Sequence, residues 1–232
     1  MYHQVHPTRR DGLTVSTAQL EQQLCWLKQN GFQPISCSQL VSHLAGDFPM
    51  PAKAVLLTFD DAYRNNFEHA APVLRAHGFR ATIFVPVKYI GGVNQWDGGS
   101  EPLLSRDELA QLPNDVFELG LHSYDHCNYK HMTVCEIEAD VRLCLAEADR
   151  QALRYTPVLA YPYGGFKRRR VENRAMKHML ERHGLRAALR IGSRVNRLPL
   201  GDRYELNRID IRGTDTPWSF RTKVRKGRVK MF

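Results

Sequence analysis

A chain of 232 residues, 43% hydrophobic and 25% charged, is most simply one domain, long enough to bury a substantial core. No apolar run is long enough to cross a bilayer, and the first residues lack the basic-then-apolar order of a signal peptide, so the expectation is a cytoplasmic protein. Five cysteines, odd in number and without a CxxC pair, suit reduced core thiols, while the net charge of +9 favours anionic partners.

In chain order, residues 2–5 read as a short strand. Ser16-Thr17-Ala18-Gln19 has the form of a capping box; Leu20, Leu24 and Leu27 follow at helical spacing, and Gly31 ends the helix. Residues 32–35 suit a second strand and 38–44 a short helix, and the two prolines within 47–53 mark a loop. Leu56-Leu57-Thr58-Phe59-Asp60-Asp61 is then a buried strand that delivers two adjacent carboxylates at its C-terminal end. Residues 67–77 are helical up to Gly78, and residues 81–85 form a β-rich strand. The glycine-rich stretch 91–102, with Trp96 and Asp97, is a loop long enough to line a site. Ser105 opens a second capping box, residues 117–121 form a strand, and Thr133 caps a helix with Ile137, Val141, Leu145 and Ala148 on one stripe. A strand over 158–161 leads into Pro162-Tyr163-Gly164-Gly165. A helix over 171–183 ends at Gly184, and residues 187–191 and 206–211 supply the last strands.

Residues from about 217 to 232 read as a basic tail, in which Arg221, Lys223, Arg225, Lys226, Arg228 and Lys230 have no acid among them. Lys167-Arg168-Arg169-Arg170 is a second basic cluster. Such patches attract nucleic acid, phospholipid headgroups or sugar pyrophosphates, although a solvated surface is the plainer reading. The alternation of strands and helices predicts a parallel sheet with helical crossovers, either doubly wound or closed into a barrel. No glycine loop of the GxGxxG or Walker type follows a strand, which weighs against dinucleotides and nucleoside triphosphates.

Three strand ends carry polar chemistry. Of Asp60 and Asp61, one could hold a cation and the other take a proton; a helix N-cap with an acidic neighbour is the plainer reading. Leu121-His122-Ser123-Tyr124-Asp125-His126 places two histidines four apart, on one side of a helical turn or converging across a tight turn. With a carboxylate from another element they suit a divalent metal of the zinc type, against the alternative of two surface or core histidines. In Ala160-Tyr161-Pro162-Tyr163-Gly164 the proline fixes a turn. The tyrosines can wall a pocket or donate a hydroxyl, and the Tyr163 N–H could face a developing oxyanion; packed aromatics on a proline turn are the alternative.

Together, Thr58-Phe59-Asp60-Asp61, His122-Ser123-Tyr124-Asp125-His126 and Ala160-Tyr161-Pro162-Tyr163-Gly164 resemble, in order and spacing, the first three motifs of the NodB-type polysaccharide deacetylases, carbohydrate esterase family 4. Tyr2-His3-Gln4-Val5 resembles the opening of the circularly permuted branch that contains the poly-N-acetylglucosamine deacetylases. The resemblance covers most of the chain. It implies a distorted (β/α) barrel of about seven strands and metal-dependent hydrolysis of N-acetyl groups, sometimes O-acetyl groups, on sugars. By position it makes Asp60 the general base, and Asp61, His122 and His126 the ligands of one divalent metal. Zinc is the expected ion, with nickel, cobalt and iron also able to fit. Tyr163, Tyr161 and Trp96 would bind the oxyanion or substrate. Three departures stand out: Ala62 replaces a glycine common after the acidic pair, Ala160 stands where many members have an arginine, and a C-terminal Leu-x-His motif is missing. In the permuted branch the N-terminal histidine fills the acid's place, so His3 is the candidate acid, and Arg208 is the candidate that orients the base.

The expected function is therefore metal-dependent N-deacetylation of a sugar in bacterial surface-polysaccharide biosynthesis (O-antigen of lipopolysaccharide, capsule or exopolysaccharide). The substrate could be nucleotide- or lipid-linked, and the basic tail would touch the inner membrane. A non-catalytic carbohydrate-binding module on the same fold is the alternative, motivated by the lost glycine and arginine. Nucleic acid is not an expected partner, since no RRM-type interleaving or helix-turn-helix pattern is present. Phosphoryl transfer would call for further carboxylates to hold a second metal.

Overall fold

The computed structural model describes residues 1–227. In chain order these form β1 (Gln4–His6), β2 (Thr14–Ser16), α1 (Thr17–Gln29), β3 (Gln33–Pro34), α2 (Cys37–Ala45), β4 (Ala54–Val55), β5 (Leu57–Asp60), α3 (Ala71–His77), β6 (Ala81–Val85), α4 (Arg106–Ala110), β7 (Phe117–Leu121), α5 (Val134–Arg150), β8 (Tyr155–Ala160), α6 (Arg170–Arg182), β9 (Ala187–Ile191), β10 (Leu206–Arg208) and α7 (Pro217–Lys226). Strands β5 to β10 lie side by side in chain order, every pair parallel. Every side chain of β5 and β6 is buried, as expected when helices cover one face of a curled sheet and its interior fills the other.

The chain's first residues supply the seventh position. Tyr2 N–H donates to the Thr58 carbonyl (2.8 Å) and Asp60 N–H to the Tyr2 carbonyl (2.9 Å). On the other side, Ile211 N–H donates to the Met1 carbonyl (3.1 Å). Residues 1–2 thus bridge β5 and the run after β10, curling the sheet toward a barrel and placing His3 at the edge where Asp60 ends. Tyr2 stacks on Phe59 at 5.3 Å, and Phe59 meets Phe117 edge-on at 6.2 Å, which anchors this closure in the core.

Helix starts follow the sequence closely, with three differences. Reciprocal capping boxes form at Ser105 with Glu108 and at Thr133 with Glu136. A third, unexpected, forms at Ser36 with Gln39. At Ser16 only half a box forms: its hydroxyl accepts from Gln19 N–H, but the Gln19 side chain turns to the carbonyls of Asp215 (3.0 Å) and Arg212 (3.4 Å) and ties α1 to the approach of α7. The helix expected from residue 67 opens as a wide π turn (Asn66–Ala70) before α3. The flanking asparagines reach across to β1: Asn65 Oδ1 accepts from Val5 N–H at 3.1 Å, and Asn66 Nδ2 donates to the His3 carbonyl at 2.7 Å.

The expected basic tail is corrected over its first part. Residues 217–226 are helix α7, capped by Thr216 with Pro217 in the first turn, and Phe220 is buried edge-on to Trp26 at 5.7 Å. Its Lys223 ammonium is spent on Asp215 (2.6 Å) and the Asp210 carbonyl (2.9 Å). Charge density hid one apolar anchor. Arg228 and Lys230 lie outside the described residues.

Candidate active site

Because β5, β7 and β8 run parallel, their C-terminal ends open on one edge, and the three motifs found in the sequence meet there. The backbone turns sharply at each end. Among the described residues seven non-glycine residues have left-handed φ, and five of them (Asp61, Ala62, Ser123, His126 and Tyr163) stand at these three strand ends. Such a conformation costs an L residue of order 1–2 kcal/mol, so its concentration here marks geometry held by the fold for a purpose. Ala62, where a glycine was expected, adopts φ 55° all the same.

Asp60 is 2% exposed and gripped by Arg208 in a two-pronged contact: Nη2 donates to Oδ2 at 2.8 Å and Nη1 to Oδ1. Burial alone would raise the Asp60 carboxyl, but the Arg208 guanidinium, with His122 beside it, holds it well below the usual carboxylate range. Arg208 itself lies over the Phe84 ring at 5.4 Å. Phe84 can lie there only because residue 120 is glycine: a Cβ at that position would come within 2.5 Å of the ring. Gly120→Ala is therefore expected to push Phe84 into Arg208 and destabilise the fold by about 1–3 kcal/mol, read as a lower urea midpoint. An unchanged midpoint would contradict this chain of contacts.

Asp61, His122 and His126, all buried, bring one ligand-type atom each within 4.8 Å of one another. Asp61 Oδ1 is 3.1 Å from His126 Nε2 and 3.4 Å from His122 Nε2. Burial pushes the His122 imidazole down to about 4, so at neutral pH its approach to Asp61 is not an ion pair. Its Nδ1 sits 2.8 Å from the Ala160 carbonyl, which can only accept. The proton therefore resides on Nδ1, and the Nε2 lone pair points at the shared space. Burial would raise Asp61 as well, but its contact with His126, along with His3 and His122, keeps it below its ordinary value. The Asp61 Oδ1 atom is buried with no donor satisfying it. One carboxylate oxygen facing two imidazole nitrogens in a dry pocket fits a divalent cation of the zinc type.

The histidines converge across a tight turn, the second of the two arrangements open from the sequence. A residue missed there holds that turn. Asp140, buried on α5, accepts from the backbone N–H groups of Tyr124 and Asp125 (3.1 Å each) and from the Tyr129 hydroxyl (2.6 Å). Asp125 is in turn tied to Lys88 Nζ (2.7 Å) and the Tyr89 hydroxyl (2.5 Å). A lone acid on a helix stripe carries no sequence mark. Its neighbours Ile137, Val141 and Cys144, all buried, show only that the position faces inward. Asp140→Ala strands three donors, and we expect roughly 2–4 kcal/mol of lost stability together with a roughly 10–100-fold loss of metal affinity. Calorimetric titration with zinc would show an unchanged affinity if Asp140 does not act this way.

Aromatic groups wall the pocket. Trp96 stacks on His126 (4.4 Å, 29°), and Tyr163, 51% exposed, meets the same imidazole edge-on at 4.8 Å. Burial, then the charges of Asp97 and Asp61, push the Tyr163 hydroxyl up to about 12, so it remains a donor at neutral pH. His3 is half-buried, close enough to bias both carboxyls toward the ionised form, and its Nδ1 has no partner. Tyr161 does not reach the site. It is fully buried, stacks on Phe166 at 5.8 Å and donates its hydroxyl to the Tyr204 carbonyl at 3.0 Å, because the side chain before Pro162 points into the core. An apolar cavity of about 250 Å³, lined by Leu40, Val55, Leu206, Ile209 and Phe220, shares only Thr58 and Arg208 with this constellation.

A family model described as polysaccharide deacetylase matches residues 48–188. The YxkH protein of Bacillus subtilis (strain 168) is 26% identical over 166 residues, 72% of this chain and 56% of that protein. The poly-beta-1,6-N-acetyl-D-glucosamine N-deacetylase of Escherichia coli (strain K12) is 40% identical over 75 residues, 32% of this chain and 11% of that one. Among solved structures, IcaB from Ammonifex degensii superposes with a TM-score of 0.79 at 25% identity, covering 97% of this chain and 93% of that one. The chain spans about half or less of the length of these curated relatives.

Proposed function

The chain belongs to the polysaccharide deacetylase family, and from that membership we propose that it hydrolyses the N-acetyl group of an acetamido sugar with the help of one divalent metal. The observation that carries the proposal is the convergence of Asp61, His122 and His126 beside an ionised Asp60 fixed by Arg208. Asp61, His122 and His126 would hold the ion, which when bound supplies Lewis acidity toward the acetyl carbonyl and an acidified water. Asp60 takes the proton of the attacking water. Its carboxylate can do so while gripped by Arg208, because each oxygen keeps a second lone pair. Arg208 holds that carboxylate ionised and aimed, standing in for the arginine that Ala160 replaces. The Tyr163 backbone N–H donates to the developing oxyanion, and Trp96 with the Tyr163 ring bounds the sugar. His3, which immediately precedes β1 and acts on both carboxyls of the acidic pair, gives the leaving amine its proton.

Similarity to a poly-beta-1,6-N-acetyl-D-glucosamine N-deacetylase supports a β-linked N-acetylglucosamine polymer or its precursor as the substrate class. We place the reaction in bacterial surface-polysaccharide biosynthesis inside the cell. The basic residues of α7 favour a nucleotide- or lipid-linked form of the sugar near the inner membrane. The test is acetate release by zinc-, nickel-, cobalt- or iron-loaded protein from a panel of N-acetylated and O-acetylated sugars. Release from an N-acetylhexosamine is the expected result. Binding of those sugars without acetate release under any metal would support the non-catalytic module instead.

A further inference from the structure

A second cluster of reactive side chains lies at the seam of α1 and α3, on the outside of the barrel. Glu21 and Cys25 stand one turn apart on α1 and therefore share a face. His77, the last residue of α3, packs against both. Cys25 Sγ is 3.7 Å from His77 Nδ1, and His77 Nε2 is 3.4 Å from Glu21 Oε1. The carboxylate oxygen can only accept, so it places the imidazole proton on Nε2 and leaves the Nδ1 lone pair facing the thiol. This is the relay of nucleophile, base and orienting group that activates cysteines. Lys28, which donates to the His77 carbonyl at 3.4 Å, adds a positive charge at the same seam.

The other cysteines lack this arrangement. Cys37 and Cys144 are fully buried, and burial pushes both thiols far up. Cys127 is raised by its own burial, and Cys135 is exposed with no hydrogen-bond partner among the described residues. The deacetylase reading uses none of Glu21, Cys25 and His77, so this site stands independently of it.

We propose that Cys25 is an activated thiol and the site at which this protein is modified by low-molecular-weight disulfides. Its proton passes to His77 Nδ1. The thiolate attacks one sulfur of R–S–S–R, the new Cys25–S–S–R bond forms as the old S–S bond breaks, and the departing thiolate takes the proton back from His77. The Cys25 sulfur is oxidised and the released thiol reduced, so the disulfide is the oxidant.

The test treats intact, metal-loaded protein with glutathione disulfide and maps the adducts over time by peptide mass spectrometry. Cys25 is expected to gain the adduct about tenfold faster than Cys135, despite being the less exposed thiol. His77→Ala is expected to bring Cys25 down to the Cys135 rate, with Cys37 and Cys144 unlabelled as evidence that the variant is folded. Should that variant label at the buried cysteines, Glu21→Gln, altered at a solvent-facing carboxylate, is expected to slow Cys25 severalfold while Cys135 is unaffected. Faster labelling of Cys135 in the wild type would overturn the proposal, as would a Cys25 rate unmoved by both substitutions.

Discussion

Asp60→Asn is expected to lower the rate of acetate release by roughly 10²–10⁴-fold while the protein still binds its metal. Asparagine keeps the shape of the side chain but cannot take a proton from water, and the lost proton acceptor accounts for about 3–5 kcal/mol of barrier on that scale. The substitution separates the two adjacent acids. Asp61 faces both imidazole Nε2 atoms at 3.1 and 3.4 Å, whereas the nearest Asp60 oxygen is 3.9 Å from His122 and already holds Arg208. Turnover and metal content should be measured on the same preparation. Full activity in the variant would remove Asp60 from the chemistry, and loss of the metal along with activity would make it a ligand.

Arg208→Met should be the most destabilising single change at the site. It leaves Asp60 as an uncompensated charge at 2% exposure, a situation that costs about 3–5 kcal/mol. For a domain of this size that is a fall in Tm of roughly 6–20 °C. Charge, not packing, is the cause, so the pair Asp60→Asn with Arg208→Met is expected to recover a large part of the loss, and denaturant midpoints of the four proteins in the cycle give the coupling. Equal stability of Arg208→Met and wild type would show that the two-pronged contact contributes nothing. A pair variant no more stable than Arg208→Met alone would show that the loss is one of packing.

What the sequence reveals about this fold depends on how local the cause is. β6, β7 and β9 were expected at the residues where they occur, because a buried parallel strand is a short, mostly apolar run between turn residues. The capping boxes at Ser105 and Thr133 were legible for the same reason, since both halves lie within four residues. The half-box at Ser16 was not, because Gln19 answers to carbonyls almost two hundred positions away. β2 is too short for periodicity to register, and α7 was masked by its lysines and arginines.

At the site, the ligand-type residues could be picked from motifs, but most of the parts that hold them could not. Arg208 was found from charge and placement alone. Asp140, the Ala160 carbonyl and the Gly120 gap that seats Phe84 each act through contacts between elements distant in the chain. Tyr161 shows the converse: a motif position assigned to the substrate whose side chain, one residue before a proline, points into the core.

The account rests on Asp61, His122 and His126 sharing one ion, and metal stoichiometry measured across substitutions tests that most directly. Elemental analysis of purified, metal-reconstituted protein should give one divalent ion per chain in the wild type and in Asp60→Asn. It should fall to near zero in His122→Ala and in His126→Ala. An ion retained at full stoichiometry in both histidine variants would contradict the account.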